Sequence, residues 1–172
     1  MKKTIASAFV LICALSSSVM AAETYVTGTI GQSNLTGTIL DKHTDTAFGL
    51  GFGCQFDKNF AAEVGYSNFG TFSKNTVRAK AGVLQASLVA SYEVAPKVSV
   101  FARGGVAYTT LKVSGDFDGN GTHNKTTAFY GVGAQYQINP KLAATVELNQ
   151  YNKFAVSNTN LNTLTVGVKY SF

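Results

Sequence analysis

From about residue 24 to the end of the chain, apolar positions alternate with polar or small ones at period two, the period of a β-strand. The clearest stretch is Phe48-Gly49-Leu50-Gly51-Phe52-Gly53-Cys54-Gln55-Phe56. One face carries Phe48, Leu50, Phe52, Cys54 and Phe56; the other carries only three glycines and Gln55. A soluble sandwich would bury the large residues and set polar ones outside. A face that carries almost nothing suits the narrow, filled interior of a small barrel. The same reading predicts strands over residues 24–32, 46–56, 60–68, 80–94, 98–111, 127–138, 142–151 and 162–172. Several are close to the roughly 10 residues that a tilted membrane-spanning strand needs.

The connections alternate in length. Asp57-Lys58-Asn59, Ala95-Pro96-Lys97 and Asn139-Pro140-Lys141 are short and carry turn residues. Between them lie longer polar stretches at 33–45, 69–75, 112–126 and 152–161. Short turns at one end and longer loops at the other are the topology of an outer-membrane barrel, loops outward and both termini periplasmic. The fold class expected is therefore all-β: an eight-stranded antiparallel up-and-down transmembrane β-barrel over residues 23–172.

The first 22 residues change the picture in one respect. Lys2 and Lys3 precede an apolar stretch from Ile5 to Leu15 and a small-residue tail. That is the pattern of a secretory signal peptide, with cleavage expected after Ala21 or Ala22. The apolar core is too short for a transmembrane helix, which needs about 20 residues. Cys13 lies in this segment, so Cys54 is expected to stand alone, as a small buried or lipid-facing hydrophobe.

Composition agrees. Charged residues make up 13% of the chain, about half of what a soluble domain carries. Without Lys2 and Lys3 the formal net charge falls from +5 to +3, too mild to argue for nucleic acid.

Strand parity places a few charges inside. Ala62, Val64 and Tyr66 outward turn Glu63 inward; the same logic turns Arg103, Glu147 and Lys169 inward. Two acids and two bases in a narrow lumen should pair, because unpaired buried charge is costly. Gly49, Gly51, Gly53, Gly131 and Gly133 are expected to loosen interior packing locally, with the charges refilling it. On the last strand Val166, Val168, Tyr170 and Phe172 share one face. The terminal aromatic resembles the C-terminal signal read by the bacterial barrel-assembly machinery, which makes Tyr170 and Phe172 an expected assembly signal.

Several blocks resemble the transmembrane domain of OmpA-like proteins, a fold shared with small virulence-associated and opacity-type surface proteins. They are Phe60-Ala61-Ala62-Glu63-Val64-Gly65-Tyr66, Ser91-Tyr92-Glu93-Val94-Ala95-Pro96, Phe101-Ala102-Arg103-Gly104-Gly105-Val106, Tyr136-Gln137-Ile138-Asn139-Pro140-Lys141-Leu142-Ala143 and the ending Gly167-Val168-Lys169-Tyr170-Ser171-Phe172. The resemblance implies an interior salt-bridge cluster that blocks or gates the lumen, with Glu63, Arg103 and Glu147 at positions similar to its members. Val89, Gln135 and Thr145 stand where that family would carry charge, so the cluster is thinner here. A peptidoglycan-binding domain like that of full OmpA proteins is not expected, and peptidoglycan anchorage is not carried over.

The loops offer two candidate sites. Asp116, Asp118 and Asn120 resemble the start of a calcium loop, but Thr127 stands where the closing Glu belongs. Solvated loop tips favour the same residues, and neither a metal nor a cofactor is expected. Arg78, Lys80 and Lys112 lie near the expected outer rim, where lipopolysaccharide phosphates could meet them. His43 and His123 fall in expected loops with no Ser and acid arranged beside them, so the chain is not expected to be an enzyme.

The function expected is a structural or surface-interaction barrel, a monomer whose loops meet lipopolysaccharide or host or phage surface molecules. A narrow gated porin-like channel is the alternative, and a lipid A-modifying enzyme stands behind both.

Overall fold

The computed structural model describes residues 23–37, 40–74, 77–114, 121–152 and 160–172, with side chains over 23–34, 45–68, 82–110, 125–152 and 161–172. Eight strands follow one another: β1 (Glu23–Gly37), β2 (Leu40–Gln55), β3 (Phe60–Lys74), β4 (Val77–Ala95), β5 (Val98–Ser114), β6 (Gly121–Asn139), β7 (Leu142–Tyr151) and β8 (Asn160–Ser171). Each pairs antiparallel with the next, and β1 closes the barrel on β8 from Tyr25↔Ser171 to Thr36↔Asn160. Closure pairs both would-be edge strands.

The barrel is apolar outside and polar inside. Leu50 is 70% exposed and Leu88 65%, with Ile30, Val132, Leu148, Val166 and Val168 exposed beside them. Ser67, Ser87, Thr109, Thr163 and Thr165 are buried on the opposite face. This inversion is stable only where the outer solvent is hydrocarbon. Outward aromatics border the apolar zone: Phe56, Phe60, Tyr92, Tyr136, Tyr170 and Phe172 toward the short turns, and Phe48, Tyr66, Tyr108 and Tyr130 toward the other end. Phe48 on β2 and Phe56 just past its end lie eight residues apart. That is about 26 Å along a strand and roughly 20 Å of height at the usual tilt, near the height of an outer-membrane apolar band.

The eight strands lie where the period-two pattern puts them, but most run longer. β4 and β6 have 19 residues each and β2 has 16. The surplus lies at the loop end, where the outward face turns polar at Gln32, Thr46, Thr126 and Asn162. Most of the stretch expected as a loop at 33–45 is paired strand, with Leu35 opposite His43. His43 and His123 therefore stand on β2 and β6, not in loops. The polar, threonine-rich sequence hid these extensions because both faces of a ribbon outside the lipid are hydrated, so the alternation disappears while the ladder continues.

At the other end the turns are tight. Pro96-Lys97 joins Ala95 to Val98, and Lys97 takes a φ of 68°, a left-handed conformation uncommon outside glycine and asparagine. Asn139 Oδ1 accepts the backbone N–H groups of Lys141 and Leu142 at 2.9 Å, and Asp57 Oδ1 accepts that of Asn59 at 3.1 Å. These are the side-chain-to-backbone bonds for which Asp and Asn are favoured in turns. Cys54 is a buried free cysteine, on the outward face by parity, between Phe52 and Phe56.

Candidate functional site

A strand interior admits every second side chain, and an eight-stranded barrel is just wide enough for those side chains to fill it. Three of the four inward charges meet near the middle. Arg103 on β5 places Nη1 3.1 Å from Glu63 Oε1 on β3 and Nε 3.2 Å from Glu147 Oε1 on β7. The second contact is an ion pair by distance but too oblique for a hydrogen bond, and Nε has no other partner. Tyr25 on β1 donates its hydroxyl hydrogen to Glu63 Oε2 at 3.2 Å. Two carboxylates thus share one guanidinium, and the group carries a net −1.

The expectation that all four charges pair fails at Lys169. Its Nζ donates to Gln55 Oε1 at 3.3 Å and sits 4.0 Å from the centre of the Tyr25 ring. The Tyr25 ring stands between Lys169 and Glu63, so the lysine balances the excess negative charge across an aromatic face instead of by contact. The order across the lumen is Lys169, Tyr25, Glu63, Arg103, Glu147.

The glycines do the opposite of loosening the interior. A Cβ at Gly53 would fall within the Tyr25 ring, one at Gly133 would meet the Phe101 ring, and one at Gly51 would crowd Glu63 and Thr27. They are the recesses into which the largest inward side chains fit. Aromatics, not only charges, refill the space.

An apolar layer lies on the loop side of the charges, and the sequence reading missed it. Phe129, Tyr151 and Leu161 form one register row across β6, β7 and β8. The Phe129 and Tyr151 rings stack with centroids 5.0 Å apart. Tyr151 reaches across to β4, donating to Gln85 Oε1 at 2.9 Å. Val83, Ala107 and Leu161 are completely buried and Tyr151 is 2% exposed. The signal was available in part: Phe129 and Tyr151 are apolar residues at inward parity on expected strands, while Leu161 fell in the stretch expected as a loop.

Two cavities among the described residues lie along the lumen. One of about 60 Å³ lies among Glu63, Arg103, Glu147, Asn149 and Tyr151, room for little more than water. The other, of about 240 Å³, opens at the turn end. Phe101, Gln135 and Lys169 line both and form the partition between them.

The remaining candidates lie toward the loop end. Arg78, Lys80 and Lys112 come together on adjacent strands: Lys80 pairs directly with Lys112, and Arg78 with Ser114 one step further out. Their side chains lie outside the described residues, as do Asp116, Asp118 and Asn120 entirely, and the leader at 1–22 with its cleavage site. No group of three or more metal-binding side chains occurs among the described residues. Phe172 stands at the turn-end rim, its ring edge-on to Tyr170 with centroids 5.4 Å apart.

Comparison with known proteins agrees with this architecture. A family model described as outer membrane protein beta-barrel domain matches residues 7–172. Among solved structures, Ail, the attachment invasion locus protein of Yersinia pestis, in complex with the heparin analogue sucrose octasulfate, is similar at 17% identity and TM-score 0.68, over 89% of this chain and 100% of that one. Neisserial surface protein A is similar at 15% identity and TM-score 0.70, over 87% of this chain and 97% of its own. The N-terminal β-barrel domain of Pseudomonas aeruginosa OprF matches at 12% identity and TM-score 0.60, over 85% and 97%. No curated protein sequence matches.

Proposed function

Since the chain belongs to the outer membrane protein beta-barrel domain family and lies in the outer membrane, we propose that it works by surface contact, not by conduction or catalysis. One observation carries this: the polar strand ends rise well past the apolar band, while the lumen beneath them is shut. With the short turns in the periplasm, these ends face outward and present a cationic group, Arg78, Lys80 and Lys112, at adjacent register positions. Like charges directly opposite on neighbouring strands disfavour pairing. A shared anion removes that cost, and the phosphates of lipopolysaccharide lie at this level. Sulfated glycans of a host surface offer the same chemistry, and Ail, similar in fold, has been captured with a heparin analogue.

No observation among the described residues favours a lipid A-modifying role. The alternative of a narrow gated channel is disfavoured by the Phe129–Tyr151–Leu161 row, which stands in series with the charges.

The test is binding of the protein in nanodiscs to lipopolysaccharide and to heparin, compared with the triple charge reversal Arg78→Glu, Lys80→Glu, Lys112→Glu. Binding is expected to fall at least tenfold and to weaken with salt. Unchanged affinity for both ligands would remove the cationic group from the reading.

A further inference from the structure

A cavity of about 240 Å³ lies at the turn end of the lumen. Toward the middle of the barrel it is lined by Phe101, Gln135 and Lys169, and beyond them lie the Glu63–Arg103–Glu147 group and the apolar row.

Its wall has a definite chemistry. Lys58 and Lys141 stand at the lip on two of the short turns, and Lys169 lies deeper. Among the described residues none of these amines has a carboxylate within 4.0 Å. Glu23 is the single carboxylate in the lining, against three lysines. Lys169 is already occupied in offsetting the central group, which leaves Lys58 and Lys141 as the cations without an acid. Between them the wall is built of uncharged polar groups whose positions are fixed. Gln55 Nε2 donates to the Lys58 carbonyl at 3.2 Å while its Oε1 holds Lys169 at 3.3 Å. Gln137 Nε2 donates to the Asn139 carbonyl at 2.8 Å, which ties the glutamine row to the turn that carries Lys141. Ser99 and Ser171 add hydroxyls, beside Ser91, whose hydroxyl donates to the Asn59 carbonyl at 3.4 Å. Cations at a lip and hydroxyl donors along the wall are the features of an oxyanion site.

We propose that the periplasmic mouth of the barrel is a binding cup for a phosphate-class oxyanion, gripped by Lys58 and Lys141 and hydrogen-bonded by the serine wall. The phosphate of an inner-leaflet lipid headgroup and a free periplasmic phosphate share this chemistry. The cup lies at the opposite end from the surface group proposed above, so the two readings stand or fall separately.

The experiment is amide chemical-shift mapping of the labelled full barrel in maltoside micelles, which contain no phosphate. One arm adds inorganic phosphate, and the other adds short-chain phosphatidylglycerol. Saturable shifts are expected at residues 55–59, 139–143 and 169–171. In Lys58→Gln/Lys141→Gln the affinity should fall about tenfold, in line with loss of two exposed charge contacts. Both positions are exposed turn residues, so the variant is expected to fold, and its unperturbed spectrum checks this. Shifts with the lipid alone assign the headgroup as the source, and shifts with phosphate alone assign the soluble anion. Absence of saturable shifts in both arms, or equal affinity in the double variant, would overturn the proposal.

Discussion

Arg103 shows how much one residue holds in a lumen this narrow. Among the described residues it is the sole cation in contact with Glu63 and Glu147, both of which are buried. Removing one member of a buried ion pair costs far more than the pair contributes, because the remaining charge keeps its desolvation penalty. Arg103→Ala leaves two carboxylates facing each other, and a loss of about 3–5 kcal/mol is expected. Denaturant unfolding of barrels refolded into lipid vesicles measures it. Arg103→Met combined with Glu63→Gln and Glu147→Gln should recover most of that loss. If it recovers none, the cost lies in packing and not in charge.

At the scale of elements, β8 carries two duties on one face. Val166, Val168 and Tyr170 face the lipid, and β8 pairs with both β7 and β1, so it closes the barrel. Phe172 lies past the end of that strand and is 66% exposed, contributing little to the packed interior. If Tyr170 and Phe172 are read by the assembly machinery, deleting Phe172 separates assembly from stability. Refolding in detergent should proceed as in the intact chain, while the amount of heat-modifiable barrel in outer-membrane fractions drops severalfold. Equal yield in cells would show that the terminal aromatic is only a rim residue.

The same scale shows where sequence reading reached its limit. The apolar core of every strand was legible, since lipid on one side and a crowded lumen on the other enforce strict alternation. The outermost three to six residues of β1 to β6 at the loop end were not. There Leu35 stands opposite His43 and Leu111 opposite His123 in the backbone ladder, and backbone bonds leave no mark on side-chain pattern.

For the whole molecule, the lumen has three barriers in series: the Phe101–Gln135–Lys169 partition, the charged group and the apolar row. A conduit opens only when all three yield. Arg103→Ala alone is expected to remain silent in planar bilayers, because Phe129, Tyr151 and Leu161 still exclude water. Adding Phe101→Ala, Tyr151→Ala and Leu161→Ala opens the other two barriers, and small conductance steps should then appear. Steps in Arg103→Ala by itself would show that the charges are the principal seal and would restore the gated-channel reading.

The sequence by itself determined the barrel. Period-two alternation, small residues on one face, short turns and longer connections set the strand number, the order, the inward parity of Glu63, Arg103, Glu147 and Lys169, and the lipid-facing surface. All of these follow from local rules, because a strand's faces and a hairpin's neighbour are fixed within a few residues. Only the tertiary structure decided which inward residues touch. That depends on the stagger of strands around the closed cylinder, which brings Tyr25 from β1 to Glu63 on β3 and sends Tyr151 from β7 to Gln85 on β4. It also left Lys169 facing a glutamine, and it turned three ordinary apolar residues into a seal. Stagger is a property of the ring as a whole, so no single segment of the chain records it.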